Sequence, residues 1–256
     1  MFSRKPVRSP AGGKGRAYAI GDVHGRLDLL ELLLAKIEAD IDERDPGQTL
    51  LIFVGDLIDR GPSSAQVVER LRTYRRDGVK TVFLLGNHEE VLLRILAGET
   101  ELIEKWRWFG GSECLRSYGV DPEHLKRTTS DQALALVQGA IPREHVEFLR
   151  SFHDTVRFGD YVFVHAGIRP GVGLDQQRQA DLRWIREPFL SDDTDHGFTV
   201  VHGHTIRPAV DERANRIGID TGAYSSGVLT AIGIEGTERW YVDTRLPATT
   251  AVSAAH

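Results

Sequence analysis

An α/β fold is predicted, on three observations. Apolar runs recur along the first half of the chain with amphipathic stretches between them, in the order strand, helix, strand, helix, strand. One run, Leu50–Val54, reads LLIFV with no polar alternation, so that strand is buried on both faces. Five runs lead directly into short blocks of glycine with carboxylate, imidazole or amide side chains, and strand carboxyl ends are where open α/β sheets present ligands.

The elements follow in order. Ala17–Ile20 leads into GDVHG (Gly21–Gly25). Leu27–Asp40 sets Leu29, Leu30, Leu33, Leu34 and Ile37 at helical spacing, with Glu31, Lys36 and Glu38 mostly outward. Leu50–Val54 leads into GDLIDRGP (Gly55–Pro62). Ser63 or Ser64 then caps a helix through about Asp77, with Val67, Val68 and Leu71 inward. Val79–Leu85 leads into GNHE (Gly86–Glu89). From Glu89 to Tyr161 the pattern turns helical, at Val91–Leu96, Thr100–Phe109, Gln132–Val137 and Arg143–Phe152, with breaks at Gly98, Gly110–Gly111, Pro122 and Gly139. This reads as a helical insertion, about residues 90–158, placed to roof the site and shape substrate choice. Tyr161–Val164 leads into HAG (His165–Gly167), and Phe198–Val201 into HGHT (His202–Thr205). Ile217–Ile219, Val228–Ile234 and Arg239–Val242 crowd together and suggest a meander closing a second sheet.

With 256 residues, 41% hydrophobic and 27% charged, the chain reads as one globular catalytic domain over residues 17–245. A net charge of −5 argues against general nucleic-acid affinity, and no apolar run is long enough to span a bilayer. Cys114 is the one cysteine, which excludes an internal disulfide and fits a reducing compartment. A cytoplasmic location is therefore expected, with a monomer compatible and the oligomeric state open. Residues 1–16 carry Arg4, Lys5, Arg8, Lys14 and Arg16 with no acidic residue and no apolar segment after them, and read as a disordered basic tail. Residues 246–256 are small and polar and are expected to fray.

Asp22 and His24 lie two apart at a strand end, so both side chains point to one side and can chelate one ion. Asp56, past the buried LLIFV strand, is placed to bridge two ions, and Asn87, His165 and His204 would complete the second. This mixed oxygen and nitrogen set is too large for one ion and suits two divalent cations, hence hydrolysis of a phosphate ester. Two dications and two carboxylates leave +2, and a bridging hydroxide with a phosphate monoester dianion brings the sum to roughly −1. Arginines would offset that charge. Singly, Asp22 reads as a helix N-cap, His165 as a satisfied strand-end histidine and Asn87 as a turn residue. Five such blocks in order, each past a strand, favour the metal.

His88 adjoins Asn87, and Asp59 lies three residues past Asp56. We read His88 as the general acid for the leaving alkoxide and Asp59 as its orienting partner, the alternative being an Asp59–Arg60 salt bridge. Arg60 suits a bidentate grip on phosphate. The loop at Trp184–Glu187 offers a second clamp, with Arg183 and Arg186 both candidates and Arg186 preferred. Gly21, Gly55 and Gly86 each precede a ligand and allow close backbone approach. His202 could share the side of His204 and act behind the ligands. Trp106, Trp108 and Phe109 could line a substrate groove, although packing into the core is the commoner use of an aromatic helix face. Cys114 lies outside every block and is not expected to be a nucleophile.

Asp22-Val-His24-Gly, Gly55-Asp-Leu-Ile-Asp59-Arg60-Gly61, Gly86-Asn87-His88-Glu89, His165-Ala-Gly and Gly203-His204-Thr205 resemble the phosphoprotein phosphatase (PPP) family of metallophosphoesterases, over about Tyr18 to Asp243. Phe109-Gly110-Gly111, Trp184-Ile-Arg186-Glu and Ile219-Asp220-Thr221-Gly222-Ala223 extend the likeness, which is nearest to compact bacterial and phage serine/threonine phosphatases. The resemblance implies a four-layer αββα fold with a dinuclear site between two sheets, usually active with manganese; iron, zinc, cobalt or nickel are alternatives. It implies Asp22, His24 and Asp56 for one ion and Asp56, Asn87, His165 and His204 for the other. It gives His88 as acid, Asp59 as its partner, and Arg60 and Arg186 on phosphate. Asp59-Arg60-Gly61 sets the chain apart from wider metallophosphoesterases, whose Gly-His-x-His block is here broken by Ile206. His202 departs from many relatives and has no implied role.

The expected function is therefore a metal-dependent phosphomonoesterase, a serine/threonine or dual-specificity protein phosphatase acting by direct attack of a metal-bound hydroxide. Its partner would be a phosphorylated protein or a small phosphoester. The rival within the fold is a symmetrical dinucleoside tetraphosphatase, whose anhydride leaving group needs less protonation. A non-catalytic metal-binding module is the third reading. It is disfavoured because every assigned residue is present and so many polar groups beside buried strands are costly without metal.

Overall fold

Strands buried on both faces require layers on both sides. The computed structural model, which describes residues 7–8 and 15–245, has that architecture. In chain order the elements begin with β1 (Val7–Arg8), β2 (Gly15–Ile20), α1 (Leu27–Glu43), β3 (Gln48–Phe53), α2 (Ser64–Arg72), β4 (Val79–Phe83) and α3 (Asn87–Leu96). Then come α4 (Leu102–Trp106), a π-turn at Arg107–Gly111, α5 (Ser112–Ser117), α6 (Ser130–Ala140) and α7 (Arg143–Arg150). The rest is β5 (Thr155–Phe158), β6 (Tyr161–Val164), α8 (Gln179–Trp184), β7 (Thr199–His202), β8 (Asp211–Glu212), β9 (Arg216–Gly218), α9 (Ala223–Ser226), β10 (Thr230–Glu235) and β11 (Glu238–Asp243).

Two mixed sheets result. One has the order β11-β10-β2-β3-β4, with β2, β3 and β4 parallel; the other has β1-β5-β6-β7-β9-β8, with β6, β7 and β9 parallel. Side chains alternate between cores with the period of two that a pleated strand imposes. Ala17, Ala19, Leu50 and Ile52 of the first sheet meet Val156, Phe163, Val201 and Ile217 of the second, which forms the layer between the sheets. Tyr18, Ile20, Leu51 and Phe53 face outward under α1, α2 and the helices of residues 87–150. Val162, Val164 and Val200 face the other way, under Leu182, Ile185 and Phe189. This is the αββα sandwich, with one thin outer layer built on the short α8. The helices after β4 are part of the thick outer layer as well as an insertion.

Four expectations are corrected. The last hairpin does not close the second sheet: β10 pairs antiparallel with β2 and β11 extends that first sheet, while β9 alone joins the second. Sequence adjacency carries no information on which edge a hairpin joins. Arg16, counted in the disordered tail, is buried in β2 with its Nε 3.1 Å from Glu235 Oε2, and Val7–Arg8 pairs parallel with β5. Arg4, Lys5, Lys14 and the 246–256 stretch lie outside the described residues. The helix read as running to Asp77 stops at Arg72, because the chain turns to bury Tyr74, whose hydroxyl donates to Glu38 on α1 at 2.8 Å. The helix expected from Val91 begins at Asn87, so the GNHE block is its first turn.

Candidate active site and metal centre

The loops after β2, β3, β6 and β7 and the start of α3 converge at the carboxyl edge between the sheets. The backbone there is strained. The non-glycine residues with left-handed φ among the described residues are His24, Asp56, Asp59, Arg60 and His204, at 45° to 71°. Each was a site candidate from sequence, and strain of this kind gathers where structure serves function. Gly55, at φ 106°, sits so close to Gly86 N and His165 that a Cβ would come within 2.7 Å and 2.8 Å of them. Only glycine lets the Asp56 loop and the GNHE turn meet.

Asp56 is the centre. Its Oδ2 lies 3.4 Å from His165 Nε2, 3.7 Å from His24 Nε2 and 3.9 Å from His88 Nε2, and its Oδ1 accepts the His88 N–H at 3.1 Å. Burial alone would raise its pKa; the imidazoles of His165, His88 and His24 win and hold it well below the usual range. Two three-residue groups could each hold an ion, His24/Asp56/His88 and Asp56/His165/His204. Asn87 joins the second group, its Oδ1 lying 2.9 Å from both His165 Nε2 and His204 Nδ1. Asp22 stands differently: its carboxylate accepts the His204 backbone N–H at 3.0 Å, and burial, then Asp220 and Asp56, drive its pKa well up.

The donor chemistry fits divalent cations. His24 and His165 each turn Nδ1 to a backbone carbonyl at 2.8 Å, of Ile58 and Val54 respectively, which aims Nε2 at Asp56. His204 turns Nδ1 toward Asn87 Oδ1 at 2.9 Å, and burial with His165 nearby brings its pKa down to about 3, which keeps the ring neutral, as a ligand must be. The Arg60 guanidinium lies 2.8 Å from His24 Nε2, a positive charge at a ligand atom. Asp22 and the half-partnered Asp220 are carboxylates that a nearby dication would relieve.

Asp59 and His88 form a pair, Oδ2 to Nδ1 at 2.6 Å, and Trp106 Nε1 donates to the same oxygen at 2.9 Å. Burial pulls the His88 pKa down, but Asp56 and Asp59 outweigh it and raise it above the ordinary value. Burial raises the Asp59 carboxyl. His88 lines a cavity of about 170 Å³, with its Nε2 not taken up by Asp59. Arg60, Asn87, His88, Arg186 and His204 line it together with Val91, Trp106, Phe109 and Trp184. Arg186 thus shares the cavity with Arg60. Arg183 does not: it is spent on Asp154 at 2.6 Å and lies 3.5 Å from Glu90.

Some residues take other roles than expected. His202 packs on the edge of Phe189 at 5.1 Å and sets Nδ1 3.0 Å from Gly203 O; burial lowers its pKa to about 4, and it joins neither ion group. Of the three aromatics offered for a substrate groove, buried Trp106 and the 53% exposed Phe109 line the cavity, and Trp108, 82% exposed, does not. Cys114 is as expected, a buried thiol whose pKa burial raises. Glu89 had no assigned part. It accepts the N–H groups of Asp56, Leu57, Ile58 and Gly86 at 2.7 to 3.3 Å, and burial, then Asp56, raises it to about 7. Its place in the first turn of α3 was the available signal; its partners some thirty residues back were not readable. Tyr224, on α9, was also missed: its ring lies under Arg60 at 4.8 Å and against His24 at 5.5 Å.

Comparison with known proteins gives the family. Residues 15–228 match the family described as calcineurin-like phosphoesterase. The chain is 30% identical, over 85% of its length and 91% of the relative's, to serine/threonine-protein phosphatase 1 of Salmonella typhimurium. It is 28% identical, over 89% and 94%, to the asymmetrical bis(5'-nucleosyl)-tetraphosphatase PrpE of Anoxybacillus flavithermus. A solved structure provisionally named a diadenosine tetraphosphatase superposes with a TM-score of 0.66 at 24% identity, over 93% of this chain and 96% of that one. No helix among the described residues is long and apolar enough to cross a membrane. A family match over most of the chain's length, with a relative 30% identical along nearly all of it, shows that this chain belongs to the calcineurin-like metallophosphoesterases and is a phosphoester hydrolase.

Proposed function

We propose that the protein is a dinuclear phosphomonoesterase acting on phosphorylated proteins, on serine and threonine and also on tyrosine, with manganese as its metal. The observation that carries the reading is the His88–Asp59 pair, 2.6 Å apart and set beside the Asp56 cluster with Arg60 and Arg186 on the same cavity. Such an acid is most needed when the leaving group is a basic alkoxide. Asp22, His24 and Asp56 would hold one ion, and Asp56, Asn87, His165 and His204 the other. Bound there, the ions supply Lewis acidity and an acidified water.

The chain's own groups do the rest. Arg60 and Arg186 grip the phosphoryl oxygens, with the Asn87 amide beside them, and their charge favours a transition state that spreads negative charge outward. Arg60, whose guanidinium lies 2.8 Å from His24 Nε2, would be free for that task once His24 served as a ligand. His88 Nε2 gives its proton to the leaving oxygen, while Asp59 holds the ring and keeps the protonated form favoured. Glu89 fixes the Asp56 turn.

A second reading, hydrolysis of dinucleoside tetraphosphates, is favoured by the names of several relatives and by the aromatic side chains among those lining the cavity. One assay separates the two. Manganese-loaded protein is given phosphoserine and phosphotyrosine peptides and diadenosine tetraphosphate. Higher kcat/KM on a phosphopeptide supports the protein phosphatase; higher kcat/KM on the dinucleotide overturns it in favour of the second reading.

A further inference from the structure

We propose that Glu90 is a positioning residue for the phosphate grip: from α3 it holds Trp184, and through that residue it fixes where Arg186 stands. This rests on the reading of Arg186 as a phosphate ligand and adds to it the group that sets its place.

The loop that carries Arg186 is anchored at its back to the second sheet. The Ala166 N–H, just past His165, donates to Leu182 O at 2.8 Å, and Leu182, Ile185 and Phe189 are buried in the outer layer over β6 and β7. Arg216 on β9 donates from Nη1 to Asp192 O at 2.9 Å and from Nη2 to Leu190 O. The Leu190 N–H closes on Arg186 O at 2.9 Å. Arg186 itself is exposed, and among the described residues its guanidinium makes no hydrogen bond or ion pair. Its place is therefore set by the backbone that carries it.

The front of that backbone is held from the other sheet's helix layer. Glu90 Oε2 accepts the Trp184 Nε1–H at 3.0 Å, and Arg183 Nη1 lies 3.5 Å from the same oxygen. Among the described residues these are the polar side-chain links between α3 and the loop, and both end on Glu90. Asn87 and Glu90 are three apart and share a side of α3. The turn that brings Asn87 to His165 and His204 therefore also sets the distance of the arginine loop from them. Trp184 is 41% exposed, so water is an alternative partner for its N–H; the bond to Glu90 adds little stability and supplies direction instead. Arg183 has Asp154 at 2.6 Å as its nearer partner, which leaves the indole bond as the part of Glu90 that nothing duplicates. Only the buried Ile185 separates Trp184 from Arg186, so a shift of the indole passes to the arginine, and small displacements of a positioned group are costly.

The test is a double-mutant cycle on the manganese-loaded full chain, read as the calorimetric dissociation constant of inorganic phosphate and as KM for p-nitrophenyl phosphate. Glu90→Ala should weaken phosphate about five-fold and raise KM alike, with the unfolding midpoint nearly unchanged. Trp184→Phe, which keeps a ring but loses the N–H, should do the same. Glu90→Gln, whose amide oxygen still accepts that N–H, should restore most of the loss. In an Arg186→Ala background, Glu90→Ala should change phosphate binding by less than about two-fold. A Glu90→Ala loss that is equal in both backgrounds, with a lowered midpoint, makes Glu90 structural and overturns the proposal. Wild-type phosphate affinity in Glu90→Ala overturns it too and leaves Arg186 on phosphate. Unchanged affinity in Arg186→Ala overturns both. If the monoester is not cleaved, the phosphomonoesterase reading fails, and the phosphate titration still decides for Glu90.

Discussion

His88 Nδ1 lies 2.6 Å from Asp59 Oδ2, both groups are buried, and Trp106 locks the carboxylate with a second bond. A proton shared at that distance in a dry setting belongs to a fixed pair, with the free edge of the imidazole left for the substrate. His88→Asn should lower kcat by roughly 10²- to 10⁴-fold with bound metal unchanged, as read by turnover and elemental analysis. Asp59→Asn should act through pH. Asp56 and Asp59 raise the His88 pKa against burial, and the acid works only when protonated, so turnover falls as pH rises through that pKa. Losing one carboxylate lowers it, and the alkaline limb of the kcat profile should move to lower pH.

Glu89 closes four backbone N–H groups, three of them in the loop that carries Asp56. Removing the carboxylate leaves buried donors unpaired. Glu89→Ala should therefore destabilise the fold by on the order of 3–5 kcal/mol in denaturant titration and weaken metal binding together. A change within about 0.5 kcal/mol would contradict this role.

His202 is buried and neutral, with its pKa lowered to about 4 by burial. The folded pKa lies below the unfolded value near 6.5, so between those values the unfolded chain binds the extra proton. Stability from this group is full above about pH 6.5, declines as pH falls toward 4, and is flat below. The change is roughly 3 kcal/mol. Denaturant midpoints of metal-free protein across that window should fall less steeply in His202→Leu than in the wild type.

Arg183 and Arg186 are neighbours in sequence with opposite surroundings. Arg186 faces the cavity, and Arg183 is engaged by Asp154 and Glu90. Arg186→Ala should raise KM for a phosphomonoester about ten-fold or more with the unfolding midpoint nearly unchanged. Arg183→Ala should lower the unfolding midpoint more than it changes KM. The reverse pattern would exchange their roles.

Much of the fold was legible because its strands are buried twice. LLIFV can be little else than a central strand, and Tyr161–Val164 matched residue for residue. Asp22, Asp56, His165 and His204 were legible because each follows such a strand, and the fold brings Asp56, His165 and His204 together. Short elements were not. Thr155–Phe158 and Asp211–Glu212 are too brief to show a period, and the β10–β11 hairpin gives no local sign that it joins β2. Nor were the partners of Glu89, the bond from Trp106 to Asp59, or the ring of Tyr224 under Arg60, all of which depend on residues distant in sequence.

The central claim is a pair of ions bridged by Asp56. Its most direct measurement is calorimetric titration of metal-stripped protein with manganese, followed by turnover of a phosphopeptide at each addition. About two equivalents should bind, with turnover rising as the second site fills, and Asp56→Asn should lose both. Full turnover in the stripped protein or in Asp56→Asn would contradict the account.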